Sequence, residues 1–290
     1  MNSFLQALLE YESGISMSKY SWYVENLSKP VIRFPRVASP GRLIRNMSSG
    51  LHQFERLTVT EYFDALGVLE LFSPEDPTSL NSMRYASINP WGYIGYQVGE
   101  AILIETGYYR ARLCSVDVEG QAHTIPSFHC GSLNEGTWVN GKAEHLFYRQ
   151  ESGEWVLGTD VNCWKGTFTG KDGIASLDHL RVPFLQDHMM VEILRFNYTK
   201  LSELLAAAGR DIESCLNEKW WYYENSRRIR VNCTVSGLLA CCHLNGVAAT
   251  VELFTNHTNH CDHLGTSALR YMHTFGGHRV DNLRLTCPQS

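Results

Sequence analysis

The stretch "SFLQALLEYESG", residues 3–14, predicts one short helix that carries a carboxylate in an unusual place. Its apolar residues recur with the spacing of a single helix face, and Gly14 suits the left-handed residue that follows a helix. Glu12 lies four residues after Leu8 and projects from the same apolar face, whereas Glu10 points away from it. The apolar residues of this face are Phe4, Leu5, Leu8 and Leu9.

The position of Glu12 favours the protonated form of its carboxyl group. Apolar neighbours disfavour the ionised form, and so does the negative end of the helix dipole in the last turn. A carboxylic acid that keeps its proton near neutral pH can deliver it to the leaving oxygen of a glycosidic bond. We therefore interpret Glu12 as a candidate general acid. The alternative is a local cap or an ion pair with an arginine or lysine.

The composition predicts a folded protein that does not bind nucleic acid. The chain has 290 residues, 44% of them hydrophobic, and a formal net charge of −5. This length can bury a sizeable core, and the lysines and arginines look scattered rather than grouped into a basic block. The apolar stretch from Val235 to Phe254 contains His243, Asn245 and Glu252, so it is interpreted as a buried helix and no membrane span is expected.

The rest of the sequence predicts a single domain, residues 1–290, that is mainly α (α+β). Prolines and glycines in residues 29–50 favour a loop. Thr58 and Glu61 form a capping box at the start of a helix that reaches Leu71.

From residue 92 onward, the sequence predicts helices on either side of a small β-rich insertion. Residues 92–109 form a glycine-bounded apolar stretch that predicts a helix, and residues 110–164 show the short alternating pieces of strands. Helical patterns dominate from Ser176 to the end of the chain.

Five motifs follow one another along the chain: "YESG", "GYIGYQVGEAIL", "WKGTFTGKDGIASL", "SGLLACCHL" and "GTSALRYMHTFGGH". In this order they resemble the lysozyme-like domains of bacterial and phage peptidoglycan-cleaving proteins related to lytic transglycosylases and goose-type lysozymes. The resemblance covers most of the chain, and the segments at about 29–57 and 110–160 match loosely or not at all. It implies a lysozyme-like fold and a muramidase that cleaves the β-1,4 bond between N-acetylmuramic acid and N-acetylglucosamine.

The resemblance also implies roles for individual residues. The family's catalytic acid is a glutamate followed by serine at a helix end, which corresponds to Glu12 and Ser13, and Ser13 would orient either Glu12 or the bound substrate. The family's glutamine loop corresponds to Gly95, Tyr96 and Gln97, and the resemblance implies that Tyr96 and Gln97 position the N-acetyl sugars. This chain has Ile-Gly-Tyr-Gln where relatives have Gly-Leu-Met-Gln or Gly-Lys-Tyr-Gln. By position, Tyr271 corresponds to a tyrosine that contacts the sugar at the scissile bond. The implied chemistry needs no cofactor and no metal.

A second catalytic carboxylate is not evident. Glu100 and Glu105 lie close to the glutamine loop, and we interpret both as surface charge on a helix. Hydrolysis and anhydro-sugar formation therefore both remain open, since a transglycosylase-type site works with one glutamate. Aromatic residues cluster around the same loop, where their rings would stack on sugars or pack in the core. They are Trp91, Tyr93, Tyr96, Tyr108 and Tyr109.

Three other functions compete with this interpretation. Residues 241–246 and 257–263 are rich in cysteine and histidine, which favours a metal-dependent hydrolase, but they lack a standard ligand spacing. A cysteine nucleophile would need a local signature that is absent here. The third is a noncatalytic glycan-binding module on the same fold, which would not need an acid at Glu12.

The expected partner is peptidoglycan. The sequence begins directly with the first helix, so we expect a protein made in the cytoplasm without a signal peptide. Delivery to the periplasm or cell wall would then require a secretion system or a phage. An antibacterial effector, or toxin, of this kind would be paired with an immunity protein or a secretion-system carrier.

Overall fold

The computed structural model describes residues 3–38, 41–118, 120–129, 147–149, 153–216, 218–262 and 264–285. The chain divides into two compact units. The central unit is Leu9–Gln186, and the terminal unit combines Met1–Leu8 with Asp187–Ser290. The structure is 44% helical and 21% strand, which confirms a mixed α+β protein. Whether the chain acts as one domain stays a prediction.

Helices occur at both ends of the sequence, and several are only one or two turns long. The ten helices of the described residues are α1 (Ser3–Ser13), α2 (Tyr20–Glu25), α3 (Val59–Ala65), α4 (Ser79–Ala86), α5 (Glu100–Glu105), α6 (Leu177–Leu180), α7 (Pro183–Ala207), α8 (Ile212–Cys215), α9 (Val235–Thr255) and α10 (Ala268–Phe275).

The strands form small, mostly antiparallel sheets. The largest has the order β6-β7-β9-β8, and its β7 and β9 run parallel. The other pairs are β1 with β4, β2 with β3, β5 with β10 and β11 with β12. Their bounds are β1 (Ile32–Pro35), β2 (Val37–Ala38), β3 (Arg42–Leu43), β4 (Phe54–Leu57), β5 (Tyr109–Arg110), β6 (Arg112–Val118), β7 (Gln121–His129), β8 (Phe147–Arg149), β9 (Trp155–Thr159), β10 (Thr167–Phe168), β11 (Lys219–Glu224) and β12 (Arg227–Asn232).

The first helix forms as the sequence predicts. The four apolar residues of its stripe are buried, and Gly14 follows the last turn with φ of +69°. Within the terminal unit, the Phe4 ring packs edge-on against Phe275 of α10, with ring centroids 6.1 Å apart. The buried stripe fixes the rotation of α1 about its axis, and with it the side on which Glu12 projects.

One hydrophobic cluster of the central unit lies around α3 and α4. The predicted capping box is confirmed, because the Thr58 hydroxyl accepts the Glu61 amide and the Glu61 carboxylate accepts the Thr58 amide. The helix is shorter than predicted, since Gly67 takes a φ of +65° directly after its last turn. The buried residues of this cluster are Ile15, Tyr23, Val59, Tyr62, Phe63, Leu66, Val68, Leu80, Met83 and Ala86.

Two sequence interpretations of the central unit are wrong. Residues 29–50 are not a plain loop, because β1, β2 and β3 pair with neighbouring strands there, and Pro35 is tolerated at the end of β1. The helix expected over residues 92–109 is confined to α5. Gly95 and Gln97 both have positive φ, so the backbone cannot become helical before Glu100.

The β-rich insertion is confirmed over its described residues, which form the four-stranded sheet. In the terminal unit the predicted helices α7, α9 and α10 are present, and the unpredicted hairpin β11-β12 lies between them in sequence. One described helix, Val235–Thr255, could cross a membrane by length and composition alone. The most apolar window of this helix is 56% buried, and core helices of soluble proteins pass the same test.

Candidate active site

The candidate site lies at the C-terminal end of α1, within the central unit. Glu12 occupies the last turn of the helix and is partly exposed. Ser13 is buried, and its hydroxyl oxygen accepts a hydrogen bond from the Ile15 amide at 3.3 Å. Glu10, two residues before Glu12, instead accepts a hydrogen bond from the Ser16 hydroxyl at 2.6 Å. Glu12 therefore lies on the same helix face as the buried apolar stripe, and its own side chain is only partly buried.

A glutamine from a distant loop binds the end of this helix. The side-chain amide of Gln97 donates to the backbone carbonyl of Glu12, with Nε2 and O 2.7 Å apart, across 85 positions of sequence. The last carbonyls of a helix have no partner within the helix, so Gln97 caps α1 at the candidate acid. The structure thus brings together Glu12 and Gln97, two residues that the sequence analysis assigned to one site.

The loop holds Gln97 in a backbone conformation that few residues other than glycine adopt. Its φ is +59°, and it lies in a tight turn closed by reciprocal backbone hydrogen bonds between Ile94 and Val98. The Asn89 amide donates to Gln97 Oε1, and Asn89 Oδ1 accepts two backbone amides of the following residues. Both polar ends of the Gln97 side chain are therefore engaged inside the protein.

A second glutamine, the fully buried Gln186, holds this turn in place. Gln186 Nε2 donates to the backbone carbonyls of Tyr85 and Leu180, and its Oε1 accepts the Tyr96 amide. A Cβ atom at Gly95 would lie only 2.0 Å from Gln186 Oε1, so this position must be glycine for the backbone to approach. Sequence reasoning missed both Asn89 and Gln186. The Asn-Pro pair at 89–90 was an available turn signal, whereas Gln186 sits in a helix and gives none.

The structure corrects the expected sugar contact of Tyr96. Its side chain is fully buried and packs edge-on against Tyr85, with ring centroids 6.1 Å apart. The reason is the tight turn, which directs residue 96 into the core while residue 97 reaches α1. The aromatic cluster shares this outcome: Trp91, Tyr108 and Tyr109 are also buried, and Tyr93 packs on the His129 ring.

Tyr271 lies on α10 in the terminal unit and is also buried. Only 3% of it is exposed, and its ring packs against Phe275, with centroids 5.4 Å apart. The hydrophobic face of α10 carries it inward, so in this structure it does not present its ring to a ligand. The expected sugar contact of Tyr271 is corrected in the same way.

Glu100 is not the surface charge that the sequence suggested. It is 2% exposed, and its carboxylate accepts hydrogen bonds from Tyr109 Oη at 3.0 Å and from the His129 amide at 3.3 Å. Burial raises its pKa, while these bonds and those from the amides of Cys163 and Trp164 oppose the shift. Glu100 therefore ties the β-rich insertion to α5 and is enclosed too completely to act on a substrate. Glu105 is exposed, as expected.

The cysteine and histidine stretches do not form a metal site among the described residues, a set that leaves out His263. Cys241 and Cys242 are buried in α9, and the Cys241 thiol donates to the Ala268 carbonyl at 3.0 Å. All seven cysteines in the described parts of the chain are free thiols. Buried thiols of this kind pack as small apolar side chains.

Gly14 is the position at which a small change should disturb this site most directly. A Cβ atom there would lie 2.3 Å from the Tyr62 hydroxyl, which donates to the Gly14 carbonyl at 3.0 Å. We expect Gly14→Ala to lower the free energy of unfolding by about 2–3 kcal/mol, because it adds both a steric clash and left-handed strain. Chemical denaturation measures this. The control is Gly107→Ala, which has a similar φ of +78° but nothing within 4 Å of the new Cβ. Equal losses in the two variants would contradict the account.

Comparison with known proteins identifies no relative: no family model matches the chain, and no curated protein or solved structure is similar to it. The resemblance to lysozyme-like domains therefore rests on the five sequence motifs alone.

Proposed function

We propose that this protein is a peptidoglycan muramidase with Glu12 as its general acid. The observation that carries the proposal is the hydrogen bond from Gln97 Nε2 to the Glu12 carbonyl. Two motifs that resemble the same family lie far apart in sequence, and this contact joins them at one helix end. If the two motifs resembled the family only by chance, there would be no reason to expect a contact between Glu12 and Gln97.

The chemistry proposed for Glu12 is protonation of the glycosidic oxygen as the bond to the sugar breaks. A general acid has to reach the leaving oxygen while its carboxyl is partly shielded from water. Glu12 is partly exposed and lies on the side of α1 that carries the buried stripe, which suits both requirements. The negative end of the helix dipole adds a contribution in favour of the protonated acid.

The mechanism we propose uses a single protein carboxylate. Glu100 is the buried acid that lies close to the glutamine loop in sequence. Its carboxylate accepts hydrogen bonds from protein donors on both oxygens. The anomeric carbon would then be attacked by water or by a hydroxyl of the substrate itself. The first route gives a reducing end and the second an anhydro sugar, and both need a proton at the leaving oxygen.

Gln97 and Ser13 are assigned positioning roles. Gln97 caps the helix end at Glu12, and Ser13 fixes the first residues after it through the Ile15 amide. We also propose that the protein acts on the cell wall as a delivered antibacterial effector, for which an immunity protein would be the expected partner.

The proposal is tested with purified protein and a suspension of isolated peptidoglycan. We expect the turbidity to fall over time and to fall equally fast in the presence of a chelator, because the mechanism uses no metal. Loss of activity with the chelator would favour the metal-dependent hydrolase instead. Binding of the protein to peptidoglycan without any fall in turbidity would favour the noncatalytic glycan-binding module.

A further inference from the structure

Residues 29–38 and 41–57 of the central unit form a paired segment rich in arginine, which we call the basic arm. Strand β1 pairs with β4 at its base, and β2 pairs with β3 further along. Beyond these strands, the backbones of Arg45 and His52 form an isolated antiparallel β-bridge, and a turn over residues 46–50 closes the arm. The arm coincides with a segment that the family resemblance matches loosely or not at all, and the proposed muramidase chemistry assigns it no role.

The charge of the basic arm is opposite to that of the chain as a whole. It holds six cationic side chains and one acidic one, whereas the complete sequence has 25 cationic and 30 acidic residues. These arginines look scattered along the sequence, but strand pairing brings them together in one arm. The exposed cations of the described side chains are Lys29, Arg33, Arg36, Arg45 and Arg56.

Two of the arginines face each other across the base of the arm. Arg33 and Arg56 are direct partners in the antiparallel register of β1 and β4, and both are exposed. Like charges at directly opposite positions destabilise a strand pair. The Arg33 guanidinium is also held over the Phe54 ring, 3.4 Å from its centroid. An anion placed against this pair would relieve the repulsion at the base of the arm.

The end of the basic arm is apolar rather than polar. Met47 is 103% exposed and Leu51 is 70% exposed, on either side of the closing turn. The turn is ordered: the Asn46 amide donates to the Leu51 carbonyl at 2.8 Å, and the Ser48 amide donates to Asn46 Oδ1 at 2.9 Å. A cation-rich arm with apolar side chains at its tip is suited to a surface with negative headgroups above hydrocarbon.

We propose that the basic arm docks the protein onto a membrane leaflet that contains anionic phospholipid. The arginines bind the headgroups, and the side chains of Met47 and Leu51 enter the apolar layer beneath them. A carboxylated polymer such as peptidoglycan would satisfy the arginines but would give the two apolar side chains nothing to enter. This inference does not depend on the proposed muramidase activity, since docking needs no bond cleavage.

Co-sedimentation with lipid vesicles tests the inference. We expect the full-length protein to sediment with phosphatidylglycerol vesicles and not with phosphatidylcholine vesicles, and added salt should weaken the binding. Neutralising two cations in the double variant Arg33→Gln, Arg56→Gln should reduce the partition coefficient about 30-fold. The double variant Met47→Ser, Leu51→Ser should also reduce it, while circular dichroism shows both variants folded.

The matched control is the double variant Arg228→Gln, Arg230→Gln, which removes two exposed arginines from the hairpin β11-β12. It should bind phosphatidylglycerol vesicles as tightly as the unaltered protein. The inference is overturned if the hairpin variant and the arm variant lose the same binding, because net charge alone would then explain it. It is also overturned if the unaltered protein binds neither vesicle, or if the arm arginines are needed for retention on isolated cell walls but not on vesicles.

Discussion

Replacing Glu12 with glutamine should abolish peptidoglycan cleavage while leaving the protein folded. Glutamine has nearly the same size as glutamate but has no proton to give to the glycosidic oxygen. General acid catalysis contributes about 10²–10⁴-fold to a rate, so the rate at which the turbidity decreases should drop to near the background level. Circular dichroism and the free energy of unfolding should change little, because Glu12 is partly exposed and glutamine keeps both the size of the side chain and the backbone carbonyl that receives the Gln97 bond.

The control for this variant is Glu10→Gln, in the same helix and two residues away. The Glu10 carboxylate binds the Ser16 hydroxyl, a contact that a glutamine oxygen can still accept. This variant should therefore keep its full rate. A Glu12→Gln protein that clears peptidoglycan at the normal rate would remove Glu12 from the mechanism, and equal losses in both variants would indicate general damage to α1.

Replacing Gln97 with leucine should produce the second largest loss of activity. The variant keeps the approximate size of the side chain but removes the donor to the Glu12 carbonyl and the acceptor for Asn89. Each lost hydrogen bond costs about 1 kcal/mol, so the free energy of unfolding should fall by about 1–3 kcal/mol. Small displacements of a catalytic group can cost about 10²-fold in rate, and we expect a loss of about 10- to 100-fold.

A split between kcat and KM distinguishes positioning by Gln97 from direct contact with the sugar. With soluble glycan strands as substrate, a positioning residue should lower kcat and leave KM almost unchanged, because it acts through Glu12. Asn89→Ala should lower kcat in the same direction, since Asn89 holds Gln97. The exposed Gln121 provides the control variant Gln121→Leu, which should have no effect. A rise in KM alone after Gln97→Leu would contradict the positioning role.

Local signals in the sequence predicted the elements whose formation depends on neighbouring residues. The apolar stripe and Gly14 predict α1, and the Thr58–Glu61 capping box predicts the start of α3. Both signals lie within one or two helical turns, where the physics of capping and burial is local. The β-rich insertion could be predicted for the same reason, from the alternation within short segments.

Other elements were missed because their formation depends on distant partners. Strands β1 and β4 contain four residues each and pair with one another although many residues separate them in sequence, so neither sequence alone indicates a strand. The hairpin β11-β12 could have been recognised, since its alternating aromatic and basic residues flank Asn225 and Ser226, both with positive φ. The helix α5 was overestimated because glycine was taken as a boundary of the helix rather than as part of an irregular turn.

The candidate site shows the same division between local and distant information. Glu12 could be proposed from its place on an apolar helix face, and Gln97 from the resemblance of its loop. The burial of Tyr96, Tyr271 and Glu100 could not be predicted from the sequence, because it depends on the residues that pack around these side chains. The supporting role of Gln186 depends on contacts with carbonyls up to 101 positions away, which no sequence window contains.

Mass spectrometry of the fragments released from isolated peptidoglycan tests the central claim most directly. The proposed mechanism predicts disaccharide-peptide fragments cut between N-acetylmuramic acid and N-acetylglucosamine, with either a reducing or an anhydro muramic acid end. The unaltered protein and Glu10→Gln should release them, and Glu12→Gln should not. Fragments cut in the peptide stems with intact glycan strands, or the same glycan fragments from Glu12→Gln, would contradict it.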